Sequence, residues 1–175
     1  MTDWLQLVDM FPPSRPPLAN DWAAFESSFG TALPSDYKKL VETYGYGRFN
    51  NFLTVFLPSS PHDFVELGTQ RGIAGDKFEF LREYDEVGSS ALPVDPGELL
   101  PAAGTDNGNT VYWRMKPSAD PDAWGIAVDQ ARGDEWFFFD GGIVAFLVIV
   151  FVHRVRVPVF PESLTARPST FTQVE

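Results

Sequence analysis

The residue types able to act as ligands, nucleophiles or general bases are few in this chain and poorly spaced. Its two histidines, His62 and His153, lie far apart, and neither falls in a His-Glu-x-x-His frame. His62 follows Pro61 and suits the start of a helix; His153 closes an apolar run beside Arg154 and reads as a polar boundary residue. Without cysteine there is no disulfide, thiolate zinc site, iron–sulfur cluster or thiol nucleophile. No serine stands in a Gly-x-Ser-x-Gly elbow, and neither a phosphate-cradling loop nor a dinucleotide-binding glycine fingerprint occurs. Asp106-Asn107-Gly108-Asn109 has a cation-binding flavour, yet it lacks the remaining ligands and the terminal glutamate of a calcium loop, and a hairpin turn explains it better. Carboxylate pairs for glycoside or phosphate chemistry stay open, because 24 acids allow many pairings in space. Trp113, Trp124 and Trp136, one per expected strand, offer a stacking platform, although core packing is the commoner use of large aromatics. The chain is therefore expected to hold no metal and no cofactor and to carry out no catalysis.

The charge pattern points instead to contact with another macromolecule. Against 24 Asp+Glu there are 13 Lys+Arg, giving a formal net charge of -11. Such an excess repels phosphate backbones and anionic lipid heads, so neither direct nucleic-acid binding nor membrane binding is expected, and basic partners are favoured. Two stretches concentrate the acids. Asp76, Glu79, Glu83, Asp85, Glu86, Asp95 and Glu98 are set against Lys77 and Arg82 alone, and Asp106 to Asp140 holds seven more acids against Arg114, Lys116 and Arg132. The bland interpretation is a solvated face, and the functional one a docking surface. The contact candidates are Glu83, Asp85, Glu86, Asp106, Asp120 and Asp122, all in expected loops or helix ends.

The elements that must position these side chains begin with helices. A short helix over Thr2 to Phe11 is stopped by Pro12, Pro13, Pro16 and Pro17, making residues 12–19 a stiff linker. Asn20 is expected to cap a helix that stops at Gly30, and Ser35 a second one carrying Tyr37, Leu40, Val41 and Tyr44 on its buried stripe. Arg48 to Leu57 suggests one strand, and His62 to Tyr84 two helices or a broken one, since Gly72 and Gly75 each cost ~1 kcal/mol relative to Ala. A short strand over Leu99 to Ala103 and a meander over Thr110 to Met115, Trp124 to Asp129 and Glu135 to Phe139 follow. Ile143 to Val152 permits either strand or helix, and Arg154 to Phe160 a last extended piece. Residues 161–175 read as a loosely held tail. Helices early and strands late argue for an α+β fold, several helices packed on a mixed, largely antiparallel sheet, within a single domain over residues 1–175. The ten-residue apolar run is well short of the ~20 a spanning helix needs. Asp3 and Asp9 occupy positions where an export leader carries positive charge, so a cytoplasmic location is expected.

Together these features resemble the SUKH superfamily, in the branch related to the fungal Smi/Knr cell-wall-assembly regulators. Trp22 to Phe29 followed by GTALPSDYKKLVETYGYG (residues 30–47) looks like the early helix pair of that family. LLPAAGTDNGNTVYWRM (residues 99–115), Asp122-Ala123-Trp124, Glu135-Trp136 and FFDGGIVAFL (residues 138–147) are similar to its strands, turn and closing helix. The match covers most of residues 20–150. The resemblance implies an α+β domain without enzymatic role and makes Ile143 to Val152 a helix. It further implies an immunity protein that binds and neutralises a cognate toxin, a nuclease or deaminase in many cases. An alternative is a regulatory scaffold of the cell-wall-assembly type, and a third class is an enzyme built on an unrecognised carboxylate pair.

Overall fold

A computed structural model describes residues 1–85 and 92–175, the side chains of residues 84 and 85 excepted. The fold is α+β. Five α-helices among the described residues, α1 (Asp3–Met10), α2 (Trp22–Phe29), α3 (Ser35–Tyr44), α4 (Leu67–Asp85) and α5 (Ile143–Leu147), pack on one sheet. Its strands are β1 (Gly47–Phe49), β2 (Leu53–Val55), β3 (Leu99–Thr105), β4 (Thr110–Arg114), β5 (Gly125–Asp129), β6 (Trp136–Phe139) and β7 (Phe171–Gln173). They stand in the order β6-β5-β4-β3-β2-β1-β7, and every neighbouring pair is antiparallel.

Alternation along the strands divides the apolar residues between two faces. Val111 and Trp113 of β4, with Ile126 and Val128 of β5, join the large core together with Leu7 of α1, Tyr37 of α3 and Phe146 of α5. Tyr112 and Ala127 point the opposite way and form a smaller core with Leu99 and with Ala74 and Phe78 of α4. The sheet is therefore covered on both faces, by α1, α3 and α5 on one and by α4 on the other.

Several sequence expectations need correction. The single strand over Arg48 to Leu57 is the hairpin β1–β2. Asn50 and Asn51 both take positive φ, 52° and 49°, and Phe52 N–H donates to Phe49 O at 3.0 Å, the two-residue turn that asparagine favours. The region expected to break at Gly72 and Gly75 is one 19-residue helix, because both glycines lie exposed and a side-chain-free position there costs helix propensity without disturbing packing. Asp21, not Asn20, caps α2 by accepting from Ala24 N–H at 3.0 Å. The proline-rich linker is tied down: the Arg15 guanidinium donates to the C-terminal carbonyls of α3 on Tyr44, Val41 and Glu42 at 3.2 to 3.4 Å, and Leu18 N–H donates to Glu42 O at 2.9 Å. Residues 161–175 are not a loose tail, since Glu162–Ala166 forms a helical turn and β7 pairs with β1 from Gly47↔Gln173 to Phe49↔Phe171.

The ambiguous apolar run is helical: α5 widens into a π-type turn over Val148–Val152, closed by His153 N–H donating to Val148 O at 2.9 Å. Its start requires glycine. A Cβ on Gly142 would collide with the Asp36 carboxylate, whose Oδ2 accepts from Val144 N–H at 3.1 Å. No helix among the described residues is long and apolar enough to cross a membrane.

Candidate functional site

The six acids singled out from the sequence do not form one patch. β3 leads into the hairpin that holds Asp106, and β4 returns to the connection that holds Asp120 and Asp122, so these two groups sit at opposite ends of the sheet. Asp106 is exposed and stands 3.5 Å from Arg48 Nη1. Glu83 is exposed on the last turn of α4, while the Asp85 side chain and all of Glu86 lie outside the described residues. Asp120 and Asp122 are brought together, and both have local structural duties. Asp120 Oδ1 accepts from Asp122 N–H at 3.0 Å, capping the helical turn Pro121–Ala123.

Asp122 Oδ1 in turn accepts from Ser35 N–H at 2.6 Å. This replaces the expectation that Ser35 caps α3 itself: Pro34 occupies the cap position with no side-chain bond, and the acceptor comes from the β4–β5 connection. Asp36, on the same turn, also accepts from Tyr37 N–H at 2.7 Å. Burial raises its pKa above the ordinary aspartate range; the Val144 and Tyr37 amides oppose that shift, and the nearby Asp122 charge adds to it. We expect Asp122→Ala to lower stability by about 1 kcal/mol in urea unfolding, as cap removal does, and Asp122→Asn, which keeps an acceptor, to cost clearly less. Equal losses in the two variants would contradict the capping role.

The most constrained polar group is one that sequence reasoning passed over. Asp129, at the end of β5, is buried at 4% exposure on the α4 side of the sheet. Its Oδ1 accepts from Thr110 N–H at 2.7 Å, and its Oδ2 from Tyr112 Oη at 3.2 Å and from Lys77 Nζ at 2.5 Å. Burial, and after it the Asp129 charge, pushes the Tyr112 hydroxyl far above its ordinary range, so it remains a donor. Asn109 completes the cluster: its Nδ2 donates to Asp129 O at 2.8 Å and to Val159 O at 3.2 Å. In the sequence Asp129 is one acid in an acidic stretch; its role is set by a partner 52 residues away on α4.

Beside this cluster lies a groove of about 680 Å³ between the C-terminal half of α4 and the β5–β6 turn. Phe78, Leu81, Leu92, Val94 and Trp136 give it apolar walls, and Lys77, Arg82, Asp95, Asp129 and Asp134 give it charge. Phe80 and Ile73 are exposed on α4 as well, at 56% and 52%. Exposed apolar patches rimmed by polar residues are common at protein-contact surfaces. Among the described residues no group of three or more His, Cys, Asp or Glu side chains is placed to hold a metal.

Of the three tryptophans, Trp113 is fully buried and Trp124 nearly so, with its Nε1 donating to Ser118 O at 3.0 Å. They serve the core. Trp136 alone reaches the groove.

Searches of curated proteins and of solved structures find no match. The model of the SMI1 / KNR4 family (SUKH-1) matches residues 16–147, from the proline-rich linker through strands β1 to β6 to the end of α5. That span takes in the helix pair, the Asp129 cluster and the groove, and the chain belongs to the SMI1 / KNR4 (SUKH-1) family.

Proposed function

We propose that this SUKH domain is an immunity protein that binds and neutralises a cognate polymorphic toxin, a nuclease or deaminase, by occluding it through an acidic surface. The observation that carries the reading is the charge imbalance. With 24 acids against 13 cations, the chain carries a surplus of eleven negative charges. Among the described residues, ion pairs engage Glu26, Glu98, Asp106, Asp129, Asp140 and Glu162. The remainder gives a negative outer field, suited to a toxin whose own groove is basic because it binds phosphates. Carboxylates placed where phosphates would lie block that groove by charge and bulk, and no chemical step is assigned to the domain. The protein works in the cytoplasm, where such a toxin meets its target.

The test is co-expression with the toxin domain encoded beside it. Survival of the host and co-purification of the two chains are expected. Failure to rescue, or turnover of a substrate by the purified domain, would overturn the reading. The scaffold alternative predicts no toxin partner and capture of resident wall-assembly proteins instead.

A further inference from the structure

One edge of the sheet is open. β6 pairs with β5 and, among the described residues, has no strand on its other side. Gln130 N–H donates to Glu135 O at 2.9 Å, so Glu135, Phe137 and Phe139 turn their peptide groups toward β5. By the alternation of an antiparallel ladder, Trp136 and Phe138 turn theirs outward. Exposed strand edges are commonly blunted with Lys, Pro or a bulge. β6 reads Trp-Phe-Phe-Phe and has none of these. Acids bracket it instead, Asp134 and Glu135 before the strand and Asp140 after it, with the Asp140 side chain fully exposed although 3.9 Å from Arg114. On the α4 side of the edge, Phe138 is 39% exposed and Trp136 leads into the groove.

A second copy of the chain is a poor occupant. The self-pairing that sets Trp136 against Phe138 on both strands also sets Asp134 opposite Asp140 at each end, and like charges directly opposite destabilise a strand pair. The same acids attract a cationic strand. We propose that β6 receives an extended segment of the partner protein, with Lys or Arg at both ends and apolar side chains on the Trp136 and Phe138 face, adding an eighth strand to the sheet. This rests on the reading that the domain acts by binding a basic protein, and it specifies where and in what backbone form.

The experiment uses the full chain and a short synthetic peptide of alternating Val and Thr with Lys-Arg at each end, alongside a counterpart with Glu at the ends. The cationic peptide is expected to bind and to slow amide exchange at Trp136 and Phe138 while leaving Phe137, already bonded to β5, unchanged. Phe138→Pro removes an outward amide and spares the β5 ladder, and it is expected to weaken binding about tenfold or more. Glu135→Lys with Asp140→Lys leaves the backbone intact and is expected to weaken binding by about the same factor and to remove its salt dependence. Absence of binding, binding that leaves the Trp136 and Phe138 amides exchanging freely, or a dimer through β6 in sedimentation would each overturn the proposal. Salt-sensitive capture of the toxin without protection of these two amides overturns the edge assignment alone; protection by the peptide with no toxin neutralised upholds the edge and overturns the immunity reading.

Discussion

Asp129→Ala is expected to lower the unfolding free energy by about 3 kcal/mol, the size of effect that follows when one member of a buried, hydrogen-bonded charge cluster is removed. The loss arises from what remains behind. Thr110 N–H and the Tyr112 hydroxyl both lose their acceptor at the end of the sheet. Lys77 suffers less, since its side chain is 41% exposed and turns into solvent. Lys77→Met leaves the buried Asp129 carboxylate with the Thr110 and Tyr112 donors but no cation, and is expected to cost about 2 kcal/mol, less than Asp129→Ala. Urea unfolding of the two variants measures both values; equal losses, or an Asp129→Ala effect below about 1 kcal/mol, would contradict this account of the cluster. The cluster matters to function through position, because it sets the distance between α4 and the end of β5 and so the shape of the groove.

Phe49→Ala is expected to be at least as damaging, at about 4 kcal/mol, within the range found for truncating a buried phenylalanine. Phe49 is 1% exposed and joins four separate segments. Its ring centroid lies 5.2 Å from that of Phe11, 5.3 Å from Tyr44, 4.9 Å from Phe171 and 6.1 Å from Phe151. These rings come from the end of α1, from α3, from β7 and from the turn after α5, so a cavity here loosens contacts that close the domain across its full sequence length. Phe171→Ala, at the partly exposed edge strand, is expected to cost about half as much or less, since its neighbours can collapse or rehydrate. Thermal or urea unfolding of the pair checks the ranking, and a larger loss at Phe171 would reverse it.

What was legible in the sequence follows from how local each signal is. α2, α3 and the strands β3 to β6 were readable because their apolar spacing and their turn residues lie within the segment itself, as in the Asp106-Asn107-Gly108-Asn109 hairpin, where Gly108 takes φ 87°. The Asn50-Asn51 turn carried an equally local signal, hidden inside a run of β-favouring residues that reads as one strand. The cap of α3 was not legible, since its acceptor on Asp122 is separated from Ser35 by 87 residues. Nor was the ordered C-terminus: Phe171–Gln173 has little pattern of its own and becomes a strand because β1 offers an edge and Phe49 and Tyr44 offer aromatic contacts. The acidic character was visible as composition, but its division between two ends of the sheet, and the conversion of Asp129 from surface charge to buried acceptor, depend on the register of β4, β5 and α4.

The central claim, binding of a basic partner through a negative surface, is tested most directly by the ionic-strength dependence of association with the co-expressed toxin domain. Charge-steered encounter is screened over a Debye length of ~10 Å at 0.1 M salt, so raising salt from about 0.05 M to about 0.5 M is expected to slow association about tenfold or more, with a smaller change in dissociation. An association rate that stays level across that range would contradict it.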